Sequence, residues 1–402
     1  MAANGNAADP EGTNFFNAGA LAGLDASKVT ITKAKTLKPI PAVEDLGMGN
    51  TMTDHMMVAT FHPARGWSAP EIKPYGPLEL DPASSCFQYC PNVFEGMKAY
   101  LDPEGHPRLF RPDLNMARMR QSAERVALPP FDPAELLTLI KRLVTLEQRW
   151  IPTTPGCALY IRPTLIGTRP ALGVSASDHA LLYVILSPMG PYFPTGPRAI
   201  SLLGVRAPAR GTGAWKLGLN YAPGFQAQRA AAGRGYQQVL WLEKAGAGLG
   251  GMKVTEAGAM NFFVVVRRDD GGVDVVTPPL DGTVLPGVTR ASCLALLRAP
   301  APFAPGLPKL HAHERALSVA DLVRYAEAGR LLEAFGVGTA VVVVPVGRIG
   351  YEEEGAGEGE GGRKVSDIVL PEGVGVARAL WEALVEIQEG RREWEGWSVR
   401  CA

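Results

Sequence analysis

The sequence carries no net charge, because its 40 basic and 40 acidic residues cancel. A generally basic surface for nucleic acid is therefore not expected. It contains no run of about eighteen apolar residues, so no membrane-spanning helix is expected. Cysteines are few and scattered: Cys86, Cys90, Cys157, Cys293 and Cys401. Their odd number and wide spacing suit a reducing compartment. Cys86 and Cys90 share a segment but lack a second Cys or His pair at zinc spacing, and they read as ordinary thiols. His311 and His313 would share a face of an extended segment, but no third ligand lies nearby in sequence, so no metal site is expected. A lone His55 in an apolar run reads as a structural hydrogen-bonder. There is no internal repeat and no Walker A motif. The glycines of 246–251 lack the strand–GxGxxG–helix setting of a dinucleotide site. The opening MAANGNAADPEGTNFFNAGA has no basic segment followed by an apolar one, and it lacks the arginines of a transit peptide. The expected compartment is the cytoplasm, or the mitochondrion if a presequence has been removed.

What is present is a chain of 402 residues, 46% hydrophobic and 20% charged. That length favours two domains with large cores. Helical and strand patterns mix throughout, which gives an α/β (α+β) class. The expected division is a mobile N-terminal arm over 1–35, a smaller α/β domain over 36–187, a Pro/Gly-rich linker over 188–198 and a larger domain over 199–402. Asp54–Phe61 reads as a strand, and Cys86–Tyr100 as a turn into a buried strand. Asp113 is expected to cap a helix running to about Val126, with Leu114, Met116, Met119 and Ala123 inward. Asp132-Pro133 starts another helix, to about Trp150. Ala158–Pro163 alternates with period two and points Tyr160 and Arg162 to one face. Ala180–Leu186 is wholly apolar, as in a sheet covered on both faces. A last helix is expected over about 374–389. The acidic, glycine-rich 352–362 reads as a solvated loop.

Four stretches carry candidate chemistry. In Gly211-Thr-Gly-Ala-Trp-Lys216-Leu-Gly-Leu-Asn220-Tyr221 a lysine sits among small and aromatic residues. An amine kept from water loses part of its preference for the charged form and can attack an aldehyde. A surface lysine in a glycine-rich loop would look the same. Glu256 borders the apolar strand 262–266, where an unpaired carboxylate is unfavourable. A protonated pyridine nitrogen, an arginine or backbone amides would each serve it. Leu285-Pro-Gly-Val288-Thr289-Arg290 opens a helix whose free amides form an anion site by geometry. Gly336-Val-Gly-Thr339-Ala340 is a second small-residue turn. Arg111 fits either a salt bridge or a phosphate. Tyr192 and Phe193 are large apolar groups in the linker, placed to cover a site between domains.

The ordered motifs FEGMKAY, LFRPDLNMARM, LYIRPTLIG, YFPTG, WKLGLNYAP, VTEAGAMNFF, LPGVTR and GTA resemble those of branched-chain amino acid aminotransferases, which are fold-type IV pyridoxal phosphate enzymes. The resemblance runs from about Gly47 to the last helix. It implies that Lys216 bonds covalently to the cofactor and shuttles the proton. It further implies that Glu256 pairs with the pyridinium nitrogen and Tyr221 with the phenolate oxygen. Arg111, Val288, Thr289 and Thr339 would hold the phosphate. Tyr89, Phe94, Tyr160, Arg162, Tyr192 and Ala340 would border the substrate. The implied reaction moves an amino group from leucine, isoleucine or valine to 2-oxoglutarate, and the implied assembly is a homodimer.

Three positions depart from the pattern. Met52 replaces a phenylalanine common near the substrate, and Ala259 replaces a threonine that helps hold the cofactor. AVVVVPV after Thr339 lacks the Cys-x-x-Cys of mammalian relatives. A D-amino-acid aminotransferase or an aminodeoxychorismate lyase would share Lys216 and Glu256, but YIR and YFPTG match the branched-chain pattern. A non-enzymatic homologue is the alternative of another class, and the intact Lys216 and Glu256 argue against it.

Overall fold

The computed structural model describes residues 21–190, 198–206, 213–300, 303–352 and 365–401. Most of 352–362, the expected acidic loop, lies outside these residues, as does Tyr192. The helices are α1 (Ser85–Tyr89), α2 (Pro112–Arg125), α3 (Pro133–Leu146), α4 (Phe225–Gly233), α5 (Val288–Arg298), α6 (Val319–Glu327) and α7 (Val376–Gln388).

The described residues form two sheets. The first runs Thr30–Ile31, Glu71–Pro74, His55–His62, Ala180–Met189, Ala158–Gly167, Met97–Leu101, Pro107–Phe110 and Ser398–Arg400. Asn92–Phe94 pairs with Ala158–Gly167 beside this path. The apolar strand Ala180–Met189 has antiparallel neighbours on both edges. Its alternate residues Leu182, Val184 and Leu186 enter the main core, packed with α2 and α3. Leu181 faces a smaller cluster where Tyr183 and Ile185 stay half-buried, so cover is fuller on one face than on the other. The second sheet orders Met252–Ala257, Gln238–Lys244, Ile200–Arg206, Val342–Glu352, Leu331–Gly338 and Met260–Arg267. Met252–Ala257 also pairs with Met260–Arg267, so these strands close into a ring.

Four expectations need correction. Residues 21–35 are not a free arm: Leu24 and Ala26 are buried, and Thr30–Ile31 pairs with Glu71–Ile72. One apolar anchor and an open strand edge outweigh a polar composition. Strand Ala180–Met189 runs past residue 188, so the expected linker begins inside a strand. The chain end also returns to the first sheet, where Ser398–Arg400 pairs with Arg108–Phe110. Finally, Asp113 does not cap α2. The cap position is Arg111, in a left-handed conformation at φ 44°, with Pro112 as the first helical residue.

The Asp132 cap does form, its carboxylate accepting from the Ala134 and Glu135 amides at 2.7 and 3.4 Å. His55 is structural. Its Nδ1 meets Glu147 and its Nε2 accepts from the Ala34 amide at 2.8 Å.

Candidate active site

Backbone contacts fix Lys216 before its side chain is considered. Its amide donates to Ser122 Oγ of α2 at 2.9 Å, and its carbonyl accepts from the Phe94 amide at 3.3 Å. Val93 and Leu217 form an isolated bridge beside it. The turn Gly218–Asn220 follows, closed by Asn220 Nδ2 donating to Trp215 O at 3.0 Å. This turn brings Tyr221 back, so that Lys216 Nζ donates to the Tyr221 hydroxyl at 3.3 Å. The amine lies 5.0 Å from the Phe94 ring centroid, and the Phe94 and Tyr221 centroids are 5.2 Å apart. One amine and one phenol from a single loop thus converge with an apolar ring from a distant strand.

The alternation in Ala158–Gly167 delivers Tyr160 and Arg162 to the same wall. Arg162 Nη2 donates to the Tyr160 hydroxyl at 3.1 Å, and the guanidinium sits 4.8 Å from the Phe94 centroid. Gly96 makes room for this phenol, since a Cβ there would lie 2.1 Å from the Tyr160 oxygen.

Between Phe94 and Gly96 sits Glu95, fully buried. It accepts from Arg118 Nε and Nη2 at 2.7 and 2.8 Å and from Asn115 Nδ2 at 2.8 Å. Burial pushes its carboxyl upward, but the charge and hydrogen bonds of Arg118, with Lys216 and Asn115, hold it below its ordinary value. Arg118 Nη1 donates to Pro286 O at 2.9 Å, immediately before α5. A guanidinium has five N–H donors, so among the described residues these three bonds leave two without a partner.

The second sheet contributes Glu256. Its Oε1 accepts from the Leu285 amide at 3.2 Å and from Asn261 Nδ2 at 3.3 Å. Asn261 also donates to Leu285 O at 2.9 Å, so one cluster holds both the carboxylate and the approach to α5. Gly287 permits this packing, because a Cβ there would lie 2.1 Å from Asn261 Oδ1. Gly287 caps α5 without a side-chain hydrogen bond of its own. A single cavity is lined by Val288 and Thr289 of α5, Thr339, Gly96, Lys98 and Asn115. Thr339 Oγ1 donates to Gly96 O at 3.3 Å. Ala340 is tied to the first sheet through its carbonyl, which accepts from Lys98 Nζ at 2.7 Å.

These residues suit pyridoxal phosphate by their chemistry. There is an amine for the aldehyde, a phenol beside it and a buried carboxylate for a ring nitrogen. Helix amides and spare guanidinium donors are present for the phosphate.

Not every expected residue joins them. Arg111 Nη1 donates to Ser292 Oγ at 2.9 Å, one turn inside α5, and its guanidinium stacks 4.2 Å from the Trp397 ring. The guanidinium at the start of α5 is that of Arg118 instead. Tyr89 is exposed and donates its hydroxyl to Leu172 O rather than to any residue around Lys216. Ala259 is exposed in the turn between Met252–Ala257 and Met260–Arg267. Lys253 pairs with Glu243 at 3.4 Å and with Asp281, as the odd spacing from Glu256 requires on a strand.

Sequence reasoning passed over Glu95, Lys98, Asn115 and Arg118. The signal was there. Glu95 and Lys98 interrupt an otherwise apolar and aromatic run, and Arg118 follows Leu114 at helical spacing on the inward face. Among the described residues, the group of three potential metal ligands is Asp102, Glu104 and His106. Arg108 and Arg400 already pair with Asp102 there, at 3.3 and 3.1 Å.

With this geometry in view, comparison with known proteins is informative. Residues 92–349 match the family described as amino-transferase class IV. The mitochondrial branched-chain-amino-acid aminotransferase of Schizosaccharomyces pombe is 43% identical over 94% of this chain and 85% of its own. The cytosolic enzyme of Saccharomyces cerevisiae is 44% identical over 94% and 98%. In structure, the branched-chain aminotransferase of Thermoproteus uzoniensis with norvaline has a TM-score of 0.65 at 23% identity, covering 87% of this chain and 100% of its own. The Thermobaculum terrenum enzyme in its PLP form has a TM-score of 0.64 at 20% identity, covering 86% and 98%. These two structures establish the shared fold. Identity across nearly the whole length goes further: the chain belongs to the branched-chain-amino-acid aminotransferases, within amino-transferase class IV.

Proposed function

We propose that the protein transfers the amino group of leucine, isoleucine or valine to 2-oxoglutarate, with pyridoxal phosphate as cofactor. The observation that carries this reading is the Lys216 amine, held on the Tyr221 hydroxyl against Phe94. When bound, the cofactor supplies an aldehyde for amine exchange and a cationic ring that withdraws electrons from the substrate α-carbon. Lys216 Nζ takes the α-proton as general base and returns it as general acid. Glu256 would keep the ring nitrogen protonated, and Tyr221 would donate to the ring oxygen. The amides of Val288 and Thr289, with Thr339 and Arg118, would hold the phosphate. Arg111 supports α5 from Ser292. Phe94, Tyr160, Arg162 and Ala340 border the substrate. Apolar walls suit branched aliphatic side chains, and Arg162 suits the second carboxylate of glutamate.

The working unit is a homodimer in this reading. Phe87 and Tyr89 of α1 and Leu172 and Val174 of the neighbouring loop are all exposed. The Ser85 amide, donating to Arg169 O at 3.1 Å, and the Tyr89 hydroxyl on Leu172 O join them into one apolar patch. Such a patch marks an association surface. A second copy seated there would bring Tyr89 to the substrate of the other subunit. All five cysteines are free thiols, which suits the cytoplasm or the mitochondrial matrix.

Adding single amino acids to the purified holoprotein, while its visible absorbance is followed, tests the reading. Leucine, isoleucine and valine should each discharge the band, and 2-oxoglutarate should restore it. A response to D-alanine alone would move the protein to the D-amino-acid enzymes.

A further inference from the structure

Lys253 is a lysine that the proposed chemistry leaves unused. It lies on Met252–Ala257, three residues before Glu256 and on the opposite face. Its backbone is fixed on both sides, opposite Glu243 in the sheet and by an isolated bridge to Ser318. Its ammonium pairs with Asp281 and, at 3.4 Å, with Glu243. Asp281 belongs to the loop 278–287, which joins strand Val273–Thr277 to α5. While its Oδ2 meets Lys253, its Oδ1 accepts from the Thr283 amide at 3.1 Å and from the Thr283 hydroxyl at 2.7 Å. Those two bonds fold the middle of the loop into a tight turn.

This loop reaches three separate parts of the site. Gly282 O accepts from the Ala214 amide at 3.1 Å, two residues ahead of Lys216. The Leu285 amide donates to Glu256 at 3.2 Å. Pro286 O accepts from Arg118 Nη1 at 2.9 Å, and Gly287 caps α5. On the loop's side these contacts are all main-chain, whereas Asp281 reaches out with a side chain. Amine, carboxylate and helix start are the three points that would hold the cofactor, at its aldehyde carbon, its ring nitrogen and its phosphate. One loop therefore bonds to the segments that carry all three.

We propose that Lys253 and Asp281 are positioning residues for pyridoxal phosphate: their ion pair pins the 278–287 loop, so that Lys216, Glu256 and the start of α5 keep the mutual spacing the cofactor requires. This rests on the functional reading above, and neither residue touches the cofactor. A ligand held at three points is sensitive to their spacing, whereas a ligand held at one is not. Burial works against the Lys253 charge, but Asp281 and Glu243 outweigh it and hold the amine above its ordinary value. Burial works against Asp281 too, yet Lys253 and Thr283 bring that carboxyl down to about 2. Both groups are therefore charged across neutral pH. Their side chains are 20% and 29% exposed, so the pair by itself contributes modestly, and its effect lies in the geometry it fixes.

The test titrates the full-length, cofactor-free protein with pyridoxal phosphate and, separately, with inorganic phosphate, which engages only the start of α5. In Asp281→Asn the turn onto Thr283 survives, but an amide N–H then faces the Lys253 ammonium. Pyridoxal phosphate affinity should fall about fivefold, and phosphate affinity less than about twofold. Lys253→Met should give the same pattern. The double variant should be no worse than the weaker single one, because the two residues act as one pair. Lys253→Arg, which keeps the charge, should stay close to the unaltered protein. With excess cofactor, all of these variants should still carry the borohydride-fixed adduct on Lys216. Unchanged cofactor affinity in both Asp281→Asn and Lys253→Met would overturn the inference. So would equal losses for cofactor and phosphate, which a general loosening of the fold produces. Failure of the unaltered protein to bind pyridoxal phosphate would instead overturn the functional reading.

Discussion

Replacing Arg118 with methionine removes the partner of a carboxylate that has no route to water. Glu95 would keep only the Asn115 bond at 2.8 Å and its own neighbouring amide at 3.3 Å. Breaking a buried pair in this way costs about 3–5 kcal/mol, because the remaining charge is stranded. Against a typical stability of about 5–15 kcal/mol, that loss threatens folding. Urea unfolding of the cofactor-free protein measures it without contribution from the bound ligand. The double variant Glu95→Gln with Arg118→Met should recover much of the loss, since it removes the stranded charge as well. The pH dependence has a definite sign. In the unaltered protein the Glu95 carboxyl lies below its ordinary 4.5, so its stabilising contribution is present above that value and fades as pH falls. In Arg118→Met, burial acts without its main opponent and raises the carboxyl. The folded variant then binds a proton more readily than the unfolded chain, and its deficit shrinks toward pH 5. Cofactor affinity should fall about tenfold or more, because Arg118 is the guanidinium at the start of α5. A loss below about 1 kcal/mol that stays constant from pH 5 to 8 would refute the argument, since breaking a buried ion pair cannot be so mild.

Other expectations follow from the same geometry. Lys216→Ala should lose turnover and the borohydride-fixed cofactor adduct, whereas Lys253→Ala, whose amine is taken by Glu243 and Asp281, should keep both. An adduct mapped to the peptide containing Lys253 would reverse these roles. Arg111→Ala removes a bond to Ser292 and a stack on Trp397, so cofactor affinity should fall less than about threefold while thermal stability drops. A tenfold loss of cofactor in a well-folded Arg111→Ala would place Arg111 on the phosphate. In solution the chain should scatter light as a dimer, and Leu172→Asp together with Val174→Asp should shift it toward monomer with loss of activity. A fully active monomer would count against the shared site.

Much of the site was legible in the sequence. The Lys216–Tyr221 spacing, the Tyr160–Arg162 alternation and the Gly287–Val288 helix start depend on chain geometry within a few residues. Local rules therefore located the alternation and the helix start, while the motif order supplied the family and, with it, the roles of Lys216 and Tyr221. The strand Asp54–Phe61 and the Asp132-Pro133 helix start were equally local. Tertiary structure decided the rest, because those questions turn on which distant segments meet. Nothing local says that Arg118 rather than Arg111 reaches the start of α5, since one lies within α2 and the other caps it, and only packing separates Trp397 from Pro286. The pairing of Glu95 with Arg118, and the reach of Lys98 to Ala340, join residues 23 and 242 positions apart. The return of Ser398–Arg400 to the first sheet was hidden for the same reason. A strand edge binds whichever backbone the fold delivers, and three residues of sequence carry no record of the partner.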